Sequence, residues 1–336
     1  MSMKGHRNIP IFIPHLGCPN QCVFCNQRSI SGCERFCLED VKGQIEAVLS
    51  QEYGGDTEIA FFGGSFTGID RDLMLRLLDI AQGYVEANRV SGIRLSTRPD
   101  YISSEILDLL SGYTVSVIEL GLQSMDDGVL AASRRGHTAR DAEMACLAIK
   151  ERGVPFCGQM MIGLPASTEE SEIFTAKKIC SMGASFARIY PTVVFHGTPL
   201  CEMTQNGQYT PLSTEEAVMR SANVYEVFSK AGIPCIRIGL CASEALTDES
   251  FVLAGPNHPA LGELVMSEVY YRRIVAHLKL NHLLGKDVVL EVPQRELSRA
   301  IGQHRKNTER LLAETGTRVL RVRGRAESDQ IYAYSP

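Results

Sequence analysis

IPIFIPHLGCPNQCVFC, residues 9 to 25, runs from a short β-strand directly into three cysteines, and the reading of that junction decides the fold. IPIFIPH (9 to 15) is followed by a stretch with helical spacing, and the same alternation recurs to about residue 195. The further strands are EIAFFGG (58 to 64), GIRLSTR (92 to 98), VSVIELG (115 to 121), PFCGQMMIG (155 to 163) and FARIYPTVV (186 to 194). Six βα units predict an α/β fold, a partial (β/α)6 TIM-type barrel left open at one side. Its active site belongs where the strands' C-terminal ends meet their loops. The chemically unusual residues fall at those ends: GCPNQC, GGSF, STRPD, LGLQS and IGLP close strands one to five in turn.

The barrel is expected over residues 9–195, a substrate-closing lid with helices over 196–285, and a small basic α+β appendage over 286–336. A chain of 336 residues with 44% hydrophobic content supplies a sizeable core. With 34 basic against 39 acidic residues and a net charge of -5, a broad nucleic-acid-binding surface is disfavoured, although a local basic patch is not. Eleven cysteines without a secretory leader suggest the reducing cytoplasm. No apolar run is long enough to span a bilayer, so no membrane partner is expected.

Cys18, Cys22 and Cys25 stand at a spacing that can hold three irons of a cubane cluster and leave the fourth open to a cofactor or substrate. Cys22 and Cys25 with Cys33 and Cys37 would also make a four-thiolate zinc site. At the other strand ends, Gly63, Gly64 and Ser65 offer backbone to a small polar group, or form a tight turn. Ser96 and Arg98 could bind ribose hydroxyls and a carboxylate. Glu119 and Gln123 are polar groups on a buried strand and need partners if enclosed. Arg135 is a further carboxylate partner, with Arg134 an equal candidate beside it, and His137 reads as a structural cap.

Substrate-facing residues are expected in the segment that closes the open side. Arg237, Asn257, Glu263 and Glu119 are the substrate-binding candidates, and Cys241, His258, Tyr190 and Glu244 the catalytic ones. His258 reads as a positioned donor or as a satisfied turn histidine. Cys241 could give a hydrogen atom to a product radical or be a small buried hydrophobe. Tyr190, ending strand six, suits substrate contact or core packing.

The triplet with Phe24 directly before Cys25 resembles the C-x-x-x-C-x-aromatic-C loop of the radical S-adenosylmethionine (SAM) superfamily. Seven strings in order, GGSFT, STRPDYI, IELGLQSMDDGVL, RRGHT, MMIGLPAST, ARIYPTVV and HGTPLCEMTQNGQYTPLS, resemble the catalytic core of the Elongator third-subunit family and its stand-alone bacterial relatives. The resemblance implies a 4Fe-4S cluster on Cys18, Cys22 and Cys25, with SAM chelated at the open iron and cleaved to a 5'-deoxyadenosyl radical. It implies that Phe24, Gly63, Gly64, Ser65, Ser96, Arg98, Gln123, Arg135, Gln159 and Met161 surround that cofactor. An external one-electron donor of flavodoxin or ferredoxin type is then needed. The chain departs from the family in its closer cysteine spacing, in Ser96 where a glutamate is usual, and in lacking the acetyltransferase domain and the basic N-terminal extension.

The last fifty residues, strand–helix–helix–strand, carry many arginines and resemble a KH-type RNA-binding module. Gly302 is present, but Arg305 occupies the second glycine position of the G-x-x-G loop, and a structural cap with a solvated basic face is the equal alternative. The activity expected is radical cleavage, rearrangement or alkylation of a small nucleobase-like substrate, such as a free 7-deazaguanine-type base. The alternatives are modification of a base within tRNA gripped by the KH-like tail, or a non-catalytic RNA-binding protein.

Overall fold

The computed structural model describes residues 5–18, 22–26, 36–240, 251–326 and 330–336. Strands and helices alternate from the start: β1 (His6–Phe12), α1 (Val41–Leu49), β2 (Asp56–Phe62), α2 (Arg71–Glu86), β3 (Gly92–Thr97), α3 (Ser104–Leu110) and β4 (Val115–Gln123). Then follow α4 (Asp127–Ala132), α5 (Ala139–Glu151), β5 (Phe156–Ile162), α6 (Glu169–Met182) and β6 (Phe186–Pro191). A short strand β7 (Val194–Phe195), α7 (Pro199–Gln205), α8 (Thr214–Lys230) and β8 (Cys235–Ile238) complete the barrel region. The six expected units gain a seventh strand: β8 pairs parallel to β6, giving a curled, all-parallel sheet in the order β1-β2-β3-β4-β5-β6-β8. Pro10 lies inside β1 without breaking the ladder because β1 is an edge strand with one neighbour.

Alternation along the strands explains the layers. Ile9, Phe61, Leu95, Leu120, Met160 and Ile189 point one way and form the core with the flanking helices. The opposite parity faces the barrel lumen and is polar, carrying Glu58, Arg94, Glu119, Gln159 and Arg188. Helix α8 starts at Thr214; Ser213 caps it, in a capping box closed by Glu216.

Beyond the barrel, β9 (Val252–Ala254) pairs antiparallel with β7. The long helix α9 (Leu261–Leu280) follows. The C-terminal unit is β10 (Asp287–Pro293), α10 (Leu297–Ile301), α11 (Lys306–Thr315) and β11 (Arg318–Arg325), the expected strand–helix–helix–strand, with an added strand β12 (Tyr332–Tyr334). Its sheet runs β11-β10-β12, with β10 parallel to β11 and antiparallel to β12. Val288, Leu290 and Val292 pack with Ile274, Ala300 and Leu311 into a second, smaller core. Among the described residues no helix is long and apolar enough to cross a membrane.

Candidate functional site at the strand ends

The cysteine loop and the glycine pair are one backbone assembly. Ile13 N–H donates to the Phe62 carbonyl at 2.8 Å, His15 N–H to Gly63 at 3.0 Å, and Ser65 N–H to Leu16 at 2.9 Å. The approach is so close that a Cβ on Gly64 would lie 2.3 Å from the Leu16 oxygen, and one on Gly17 2.2 Å from the Ser65 oxygen. Gly17 also has φ +71° and Gly63 φ +90°, conformations that glycine adopts without strain. Ser65 is fully buried, and its hydroxyl bridges Thr97 Oγ1 at 2.9 Å while accepting from the Arg98 N–H at 3.2 Å. Thr67 joins the same cluster through Thr97 at 2.6 Å, so the GGSFT and STRPD turns are tied together by three hydroxyls.

Of the paired arginines, Arg135 turns inward and Arg134 stays exposed, its φ of 50° being the kink that separates them. Arg135 Nη1 donates to Cys22 Sγ at 3.4 Å, and Nη2 to the Gly121 carbonyl at 2.6 Å. Arg98 is 2% exposed and bidentate with Asp100, at 2.9 and 2.8 Å. Gln123 ends β4 at φ 66°, after a register break in the β4–β5 ladder. Among the described residues, the buried polar atoms here without a hydrogen-bond partner include Arg98 Nη1, Gln123 Oε1 and Arg135 Nε. Orphans of that kind are costly in an empty pocket and are what a polar cofactor would satisfy.

The thiol chemistry agrees. Burial pushes the Cys18 thiol up, Arg135 and Arg98 pull it back, and the net effect is upward. An inserted metal would reverse that balance, since coordination deprotonates a thiol. Among the described residues no three Cys, His, Asp or Glu side chains close on a single ion. Cys37, a member of the zinc alternative, is exposed and donates to Glu39 Oε2 at 2.9 Å; Cys33 lies outside the described residues. Phe24 packs with Val23, Val194 and Leu200, which anchors the cysteine loop beside β7 and α7.

Below this ring the lumen holds a chain of buried charges. Arg94 bridges Glu58 at 2.9 Å and Glu119 at 3.1 Å, and Arg188 reaches the same Glu119 oxygen at 2.6 Å. Gln159 Nε2 donates to the other Glu119 oxygen at 2.7 Å, and Arg188 Nη1 donates to Tyr190 OH at 3.1 Å. Glu119, expected at the substrate, is 0% exposed with both oxygens engaged, so it organises the floor of the site. Burial works against the Arg188 charge, but Tyr190 and Glu119 more than offset it and hold its pKa up. Ser96 lies on the lumen parity beside Glu119, and Met161 opposite Tyr190.

The remaining candidates divide. His258 is the satisfied turn histidine: its Nδ1 accepts from Ala260 N–H at 3.1 Å, which turns the chain into α9. Asn257 follows Gly255, whose φ of 102° and contact with the Thr192 carbonyl lay this segment against the end of β6. Arg237 stands beside Arg188 and donates to the Leu240 carbonyl at 3.4 Å. Glu263 lies in the first turn of α9, whose start abuts the end of β8. Its carboxylate takes Arg299 at 3.2 and 3.3 Å and fastens α9 to α10, a long-range pairing that sequence spacing does not reveal. Cys241 and Glu244 lie outside the described residues.

Sequence reasoning passed over Arg94, Arg188 and Asp100. The signal was present: a charge at lumen parity within an otherwise apolar parallel strand needs a buried partner. Likewise Glu172 holds the β5–α6 turn, accepting from Gly163 N–H at 2.6 Å and from Arg220, an arrangement visible only in three dimensions.

Comparison with known proteins follows the same lines. The radical SAM superfamily profile matches residues 12–178, and the Radical_SAM C-terminal domain profile matches 184–271. An uncharacterised protein of Methanocaldococcus jannaschii is 31% identical over 226 residues, covering 62% of this chain and 68% of its own. The tRNA uridine(34) acetyltransferase of Dehalococcoides mccartyi is 24% identical over 250 residues, 62% of this chain and 54% of that protein. Elongator complex protein 3 of Saccharomyces cerevisiae is 26% identical over 201 residues, 54% of this chain and 36% of that protein. The chain thus spans about half or less of these last two relatives. An N-terminally truncated Elp3 of Methanocaldococcus infernus shares the fold, with TM-score 0.60 at 19% identity over 89% of this chain and 68% of that one. The chain therefore belongs to the radical SAM superfamily, as a relative of the Elongator third-subunit core, and its cofactors are the superfamily's 4Fe-4S cluster and S-adenosylmethionine.

Proposed function

We propose that this enzyme directs a SAM-derived radical at a base held within RNA, with tRNA the favoured carrier. Cys18, Cys22 and Cys25 would hold the cluster, which, reduced by an external one-electron donor, would supply the electron for breaking the sulfonium S–C5' bond of SAM. Around it the chain's own residues bind and orient. Arg135 sets its positive charge against the Cys22 sulfur, and its unsatisfied Nε, with Arg98 Nη1 and Gln123 Oε1, offers two donors and an acceptor to the cofactor's polar groups. The glycine pair lets the cysteine loop lie flat on the strand end. Gln159, steadied by Glu119, and Met161 face the lumen where adenine would stack. The closed ionic floor keeps water from entering beneath.

One observation carries RNA over a free base. The C-terminal unit exposes Arg305, Lys306, Arg321 and Arg323 with no ion pair among the described residues, and it is fastened to α9 by Arg299 to Glu263 and Arg310 to Glu268. The tRNA-modifying relatives support the reading, but acetyl transfer is not part of it. The test is anaerobic reconstitution with SAM and dithionite, with unmodified tRNA or a free 7-deazaguanine-type base as substrate. A tRNA-dependent rise in 5'-deoxyadenosine and a new nucleoside mass in the digested tRNA are expected. A response to the free base alone would overturn the RNA reading, and a fully loaded cluster that never cleaves SAM would overturn the radical activity.

A further inference from the structure

The C-terminal sheet has one face packed on helices and one face open. Val288, Leu290 and Val292 of β10 point into the small core, so Val289 and Glu291 belong to the other side. The register aligns two rows across that open side. Arg321, Val289 and Tyr334 form one, and Arg323, Glu291 and Tyr332 the other.

Each row therefore begins in an arginine and ends in a tyrosine, about 10 Å apart across two strand spacings, and the rows are about 7 Å apart along the strand. Tyr332 and Tyr334 are 42% and 43% exposed, on a strand whose alternate residue, Ala333, turns inward. Two partly exposed tyrosine rings side by side on a sheet face offer surface on which a planar partner can stack. Glu291, the acid in these rows, is already engaged by Arg325 at 3.1 Å, and Arg325 also lies 4.8 Å over the Tyr332 ring. Arg321 and Arg323 are exposed and make no hydrogen bond or ion pair among the described residues.

We propose that this open face is a stacking platform for single-stranded RNA, with unstacked bases on Tyr332 and Tyr334 and phosphates on Arg321 and Arg323. Aromatic faces accept any base, and a row of free guanidinium groups tracks the backbone. Charge complementarity favours a polyanion over a second copy of a chain whose net charge is -5. The inference rests on the RNA reading above but names a different surface from the helix–helix loop. In that loop His304 and Arg305 take φ of 51° and 65° after Gly302, and the helices flanking it pack on the opposite face of the sheet.

The test is fluorescence anisotropy of the holoenzyme with a labelled oligouridylate and with tRNA, across a salt series. Tyr332→Ala and Tyr334→Ala should each weaken oligouridylate binding about tenfold and leave the salt slope unchanged. The phenylalanine replacements, which keep the ring, should bind like wild type. Arg321→Ala with Arg323→Ala should lower the slope by about 1.4 in log–log units, the counterions of two single-strand phosphates. Arg305→Ala should leave oligouridylate binding as it was. All four positions are exposed, and thermal melts confirm folding. If wild type and the tyrosine variants hold tRNA equally, the platform is overturned and the RNA reading stands. If wild type binds no RNA, both are overturned. A dimer that Tyr332→Ala dissolves, with no RNA bound, overturns the platform in favour of self-association.

Discussion

Arg135 holds Cys22: one guanidinium nitrogen lies 3.4 Å from the Cys22 sulfur, and the other is pinned to the Gly121 carbonyl at 2.6 Å. The positive charge is thus fixed by the backbone of β4. Replacing it with methionine should leave iron content near wild type but make the cluster harder to reduce, since a cation beside a thiolate favours the electron-rich state. Arg135→Lys keeps the charge but not the fork, and should fall between the two. A redox titration followed by electron paramagnetic resonance reads the shift, and equal midpoints for all three proteins would refute it.

Gly64→Ala should damage the cysteine loop, because the new methyl has the Leu16 oxygen 2.3 Å away and the Ile13 oxygen 2.6 Å away. A stability loss above about 1 kcal/mol is expected, with iron per chain falling in the same variant. Gly43→Ala, where a Cβ meets nothing within 4 Å, is the control, and a G64A protein with full iron and unchanged melting would contradict the packing argument.

Glu119 is shared by Arg94, Arg188 and Gln159 inside the lumen. Glu119→Gln leaves buried Arg188 without a carboxylate, Arg94 keeping Glu58, and should cost about 3–5 kcal/mol in urea unfolding. Adding Arg188→Met should restore part of that loss. Strictly additive costs would show that the groups do not act as one network.

His137 gives the fold an acid limit. It is buried, and burial first, then the Arg135 charge, lowers its pKa from 6.5 to about 4. Between those values the unfolded chain holds the extra proton. Stability from this group is therefore complete above pH 6.5 and lost as the pH falls towards 4, by up to about 3 kcal/mol. His137→Leu should flatten the pH dependence of unfolding in that window, and an unchanged slope would assign the acid sensitivity elsewhere.

The strand-end motifs were legible because a parallel half-barrel collects at one rim whatever follows each strand, so GGSFT and STRPD had to meet the cysteines. The direction of each side chain was less legible. The sequence offered Ser65 only as strand-end backbone, and its hydroxyl faces Thr97, since hydroxyls at adjacent strand ends reach each other before they reach the lumen. β8 was read as part of the lid because four residues between loops carry too little pattern to show which sheet they join. The pairing of Glu263 was illegible for another reason: its partner Arg299 is 36 residues away, and a surface carboxylate carries no mark of the helix it will meet.

The lumen chain has a consequence for selectivity. Its charges alternate, Glu58 and Glu119 against Arg94 and Arg188, so they cancel to nothing at a distance. Arg98 is cancelled by Asp100 at the rim. Among the described residues an approaching molecule then meets chiefly the cysteine loop, Arg135 and Arg237, a short-range field that recognises its guest by contact. An anionic polymer would need its long-range attraction from somewhere else on the molecule, and the arginine-rich strand of the C-terminal unit is where such a pull can arise.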